Sequence, residues 1–168
     1  MSEGAAPDGR PEQVSIIKEM IRQRETDLDR LKGGLREREE ALDRWRGEER
    51  TVLEREPKIR ADMADNEAGL EALKQQIADA NKSGRFGRLK SHAGTPPDAL
   101  QEQLESRQEI AKSLDELLLI DEETLAISKE QIAEVAASVE EMRASIEKLR
   151  TTIDEGKSML AVLRSADD

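Results

Sequence analysis

The feature that most limits what this chain can become is a spacing. From Val14 onward, apolar residues recur at alternating steps of three and four through Ile17, Ile21, Leu28, Leu31, Leu35, Leu42, Trp45, Val52, Ile59, Met63, Leu70, Leu73, Ile77 and Ala80. A second ladder runs from Leu100 through Leu104, Ala111, Leu114, Leu118, Leu125, Ile132, Val135, Val139, Met142, Ile146, Leu149, Ile153, Leu160 and Leu163. Such a period is a helix signature, and sustained over more than nine heptads in each arm it predicts an all-α coiled coil. Arg24, Arg38, Glu49, Glu56 and Asn66 interrupt the first ladder, and Arg107, Asp121, Ser128 and Gly156 the second.

Composition supports helices and little else. Of the 168 residues, 39% are charged and 1% are aromatic, so the branched and aromatic interior of a sheet or of most ligand pockets is missing. No uninterrupted apolar stretch approaches the 20 or so residues a membrane-spanning helix needs. No apolar leader-like run follows Met1, which makes the cytoplasm the expected location. The absence of cysteine removes disulfides, thiolate metal sites and thiol nucleophiles together.

Between the ladders, residues 82–97 carry Gly84, Gly87, Gly94 and the pair Pro96-Pro97, which end periodicity and predict a loop. Gly84 is placed to close the first helix with a left-handed cap, and Thr95, with Asp98 three positions on, to open the second. The expected organisation is therefore a tail over 1–10, a first arm over 11–81, the loop, a second arm over 98–164 and a frayed end over 165–168. Two arms of nearly equal length fold back most simply as an antiparallel hairpin, each arm about 100 Å long at about 1.5 Å per residue. Pro57 falls on the outer side of the first arm without breaking its phase, so a kinked but continuous helix is expected there. Flanking charges do not fix the register. Setting Glu39 against Arg143, Glu25 against Lys157 and Arg60 against Glu122 also sets Lys32 against Arg150 and Glu67 against Asp115. Glu49 and Glu56 fall opposite the Asp121–Ser128 region in any such hairpin, marking a weak middle.

Two groups of residues stand out as candidate sites. Ile110, Leu117, Leu119, Ile120 and Ile127, with Met159 and Val162, are apolar residues beyond what one seam requires. They predict association with a partner coiled coil or, most simply, pairing of two hairpins into a four-helix dimer. The second group is basic. Residues 1–80 hold 15 basic and 20 acidic side chains, residues 81–97 hold 4 and none, and residues 98–168 hold 8 and 18. Lys82, Arg85, Arg88 and Lys90 with Phe86 between them form a cationic tip on an acidic chain, suited to phosphates of nucleic acid or to anionic lipid.

Chemistry beyond binding has little to draw on. His92 has no second histidine or cysteine to share a metal, and Trp45 holds a seam position that packing explains. The glycines match no phosphate loop, and a two-stranded rod offers no partly dry pocket for acid–base work, so neither enzyme activity nor cofactor is expected. The helix–loop–helix pattern resembles prefoldin's hairpin, which implies a chaperone-like holder, but the loop lacks the strand alternation of prefoldin's assembly domain. It also resembles the arms of chromosome-organising ATPases, without their phosphate loop or cysteine hook. The reading adopted is a non-enzymatic structural or adaptor protein, the alternative a binder of nucleic acid or anionic membrane through the tip.

Overall fold

The computed structural model describes residues 9–86 and 97–165, with side chains described for 9–82 and 98–165. Two long helices, α1 (Arg10–Phe86) and α2 (Pro97–Ser165), make up the described chain and pack against each other as in a hairpin. Helix α1 opens where Gly9 lends its carbonyl to the amide of Gln13 at 3.0 Å, with Pro11 and Glu12 in the first turn. Both suit a helix start, the proline because amides there have no intrahelical acceptor, the glutamate because of the helix dipole. Asp98 does the same for α2, and Arg164 stands in its last turn. Thr95, Pro96 and residues 1–8 of the expected tail over 1–10 lie outside the described residues, and Arg10 already belongs to α1.

At its far end α1 departs from the expected boundary. It runs through Gly84 to Phe86 instead of ending at a glycine cap. A glycine inside a helix costs only about 1 kcal/mol relative to alanine, which one further turn of backbone bonds can offset. Pro57 likewise sits within an unbroken α1, so the first arm is one continuous helix across it.

The chain forms two compact units, residues 1–45 with 131–168, and residues 46–130. In the first, Glu39 faces Arg143 and Glu25 faces Lys157, so the helices run antiparallel. Its interior is Ile21 and Leu42 from α1 and Val139, Ile146 and Ile153 from α2. Two glycines of this unit lie against side chains of the opposite helix. A Cβ on Gly34 would stand 2.8 Å from Met142 Cε, and one on Gly156 3.1 Å from Ile21 Cγ1. In the second unit the interior is Val52, Ile59, Leu73 and Leu100. Pairings of Arg55 with Asp121 and of Asn66 with Arg107 again give antiparallel order.

Every apolar rung of both ladders is buried or half-buried. The ion pairs also answer the open question of register, because the three pairs Glu39–Arg143, Glu25–Lys157 and Arg60–Glu122 all occur. The price is visible within the second unit, where Glu67 and Asp115 line one cleft together.

Polar groups interrupt the second interior more than the first. Asn66, Asp121 and Ser128 are all buried. Asn66 donates to the Arg107 carbonyl at 2.9 Å and accepts from Arg107 Nη1 at 3.4 Å, so its amide is satisfied. Ser128 is different, being fully enclosed with an Oγ that has no partner. An unpaired buried hydroxyl costs about 1–3 kcal/mol, and alanine is also the better helix former. Ser128→Ala is therefore expected to raise the unfolding free energy by roughly 1–2 kcal/mol in urea titration, and a loss of stability would show that the hydroxyl is hydrogen-bonded after all.

Candidate functional site

Helix α2 turns one face to α1 and leaves another uncovered. Ile110, Leu117, Ile120 and Ile127 are all about half exposed, from 45% to 54%. At about 100° per residue they fall on one stripe beside the buried seam, with Ser113 and Thr124 filling the gaps. Thr124 Oγ1 donates to the Ile120 carbonyl at 2.8 Å, so its hydroxyl is satisfied by its own helix and its methyl extends the stripe. A partner covering this face would not orphan the Thr124 hydroxyl.

Leu119 does not belong to that stripe. It is 56% exposed, but helix geometry turns it about 100° from Ile120 and farther still from Leu117. Grouping it with Ile120 followed from adjacency in sequence, which is a poor guide on a helix. Met159 and Val162 lie in the other unit, where Met20 and Met159 edge a cleft floored by Ile17, Ile21 and Gly156. Ile16, Met20 and Leu53 are further exposed apolar residues, on α1, outside its ladder.

In the first unit two ion pairs join the helices. Arg143 Nη2 donates to Glu39 at 2.8 Å and Lys157 contacts Glu25 at 2.7 Å. Hydrogen bonding to Glu39, with the charge of Glu140, raises the Arg143 pKa, and Glu25 raises that of Lys157. These pairs are half exposed and contribute little stability each.

One charge pair enters the interior. Asp121 is almost wholly enclosed, and Arg55, half exposed, reaches it with two donors, Nε at 2.9 Å to Oδ2 and Nη2 to Oδ1. That two-pronged hydrogen bonding holds the Asp121 carboxyl below the usual carboxylate range, against the desolvation that pushes it upward. Glu56 nearby accepts from Arg60 Nε at 2.9 Å, and Arg60 also lies 4.0 Å from Glu122. Two arginines thus engage three carboxylates, Arg55 with Asp121 and Arg60 with Glu56 and Glu122. Among the described residues no three metal-binding side chains converge.

Of the basic tip, Lys82 is exposed on the last turns of α1, and Arg85 and Phe86 belong to the same helix end. Arg88 and Lys90 lie outside the described residues, as does His92. None of the described helices is long and apolar enough to cross a membrane. Comparison with known proteins finds no matching family model, curated protein or solved structure.

Proposed function

We propose that the chain is a non-enzymatic structural or adaptor protein, a coiled-coil hairpin that works by holding further helices against its own. The observation that carries this reading is the stripe Ile110–Leu117–Ile120–Ile127, four large apolar side chains left half in water beside a seam that is otherwise closed. Sequence economy supports it. A chain with 39% charged residues has polar side chains to spare for solvated positions, so aliphatic residues recurring on one outer face favour coverage by another helix. A second hairpin, giving a four-helix dimer, and a helix of another protein both meet that need.

The test is Leu117→Asp combined with Ile120→Asp, which places two charges in the middle of the stripe while leaving the seam untouched. Association through this face is expected as a multiple of the chain mass in light scattering, or as binding of an added amphipathic helix, and in either case to be lost in the double variant. A wild-type chain that shows neither is not an adaptor of this kind.

A further inference from the structure

The edge of the stripe has a charge pattern that the net charge conceals. Glu102, Glu109, Glu116, Glu123 and Glu130 recur at every seventh position of α2, forming one row. At about 100° per residue that row runs immediately outside Ser113, Ile120 and Ile127, along the border of the apolar stripe away from α1. All five side chains are exposed, and among the described residues none of them takes part in an ion pair. At about 1.5 Å per residue the row is about 42 Å long and the stripe from Ile110 to Ile127 about 26 Å, so the row borders the whole stripe and runs past its end near Ile110. Lys112 stands behind it and Lys129 on the opposite side of the helix, so no cation of α2 lies between the glutamates and the apolar residues.

We propose that the stripe of α2 docks an amphipathic helix whose apolar face is edged by lysine or arginine at every seventh position. The inference rests on the helix-holding reading above and adds the chemistry of the occupant. A basic edge would meet five unpaired carboxylates in register while its aliphatic face covers Ile110, Leu117, Ile120 and Ile127. A second copy is the poorer occupant. Laid antiparallel about a twofold axis, its stripe brings like flank to like flank and sets glutamate row against glutamate row. Laid parallel, it sets the row against Glu48, Arg55 and Asp62 of α1, where anions outnumber the one cation and Arg55 is already engaged by Asp121. Charge thus selects against self-pairing on this face and for a basic helix.

The experiment uses the full chain and two synthetic 28-residue helical peptides with the same isoleucine and leucine face, one edged by lysine and the other by glutamate. Binding is read by fluorescence anisotropy at low and at moderate salt. The wild-type chain should bind the lysine peptide at least tenfold more tightly than the glutamate peptide, with the preference shrinking as salt rises. Changing Glu109, Glu116, Glu123 and Glu130 together to Gln should remove the preference and leave the helical circular dichroism unchanged. Changing Leu117 and Ile120 to Ser should weaken both peptides alike.

Equal affinity for both peptides, or a preference that survives the four Gln changes, overturns the proposal but leaves the helix-holding reading standing. So does a wild-type dimer that the lysine peptide fails to open and that Leu117→Ser with Ile120→Ser dissociates, since a second copy then occupies the stripe. Binding of the lysine peptide undiminished by the two Ser changes places its site elsewhere and overturns the proposal as well. Failure of both peptides to bind a monomeric chain overturns both readings.

Discussion

Pro57→Ala is expected to raise the midpoint of urea unfolding, by an amount equivalent to about 2 kcal/mol. Proline in a helix interior is about 3 kcal/mol worse than alanine, since its ring crowds the carbonyl four residues back and donates nothing to it. Part of that gain is returned, because alanine frees the unfolded chain and costs about 0.4–1 kcal/mol there. Pro57 is exposed and α1 continues on both sides of it, so the replacement meets no packing obstacle. An unchanged midpoint would mean that water and local adjustment already satisfy the Leu53 carbonyl. Retaining such a residue in the second unit, which also buries Asp121 and Ser128, leaves that stretch less stable than its length permits.

Arg55→Met is expected to be strongly destabilising at neutral pH and progressively less so in acid. In the wild-type protein Asp121 has a lowered pKa, so its contribution is present above the unfolded carboxylate value near 3.9 and is lost as pH falls through the folded value. Without Arg55 the burial remains and the counter-charge is gone, which reverses the sign. Asp121 then titrates above its unfolded value and becomes a penalty at pH 7 that protonation relieves. The gap in melting temperature between the two proteins should therefore be widest near pH 7 and narrow steadily toward pH 4. Adding Asp121→Leu to Arg55→Met should close most of the gap at pH 7, because an apolar pair needs no compensation. A gap independent of pH would show that Arg55 acts by packing alone.

How much of this was legible in the sequence depended on whether the signal was local. The ladders were, since each rung is fixed by the helix period alone, and rungs as different as Val52 and Asn66 are buried because of their position. Register was not, because Glu39–Arg143 argued for it while Glu67 beside Asp115 argued against, and only the packing of side chains such as Met142 over Gly34 decides between such ledgers. The end of α1 was misjudged at Gly84, where a cap preference of modest size competes with helix continuation. The row from Glu102 to Glu130 was readable throughout. It was missed because charge was summed by segment, and a sum discards phase.

The antiparallel order also sets a sequence of events in folding. Asn66 and Arg107 are 41 residues apart along the chain, Arg55 and Asp121 are 66, and Glu39 and Arg143 are 104. Closing the longest of these loops first would cost about 0.8 kcal/mol more in chain entropy than closing the shortest, and each contact made shortens the loop left for the next. Folding is thus expected to start at the loop end of the two helices, on the side of Leu73 and Leu100, and to zip toward the two termini. The polar Asn66–Arg107 pair, which adds little as a mere contact, then acts as an early tooth of that zip, and its alignment is inherited by everything that closes after it.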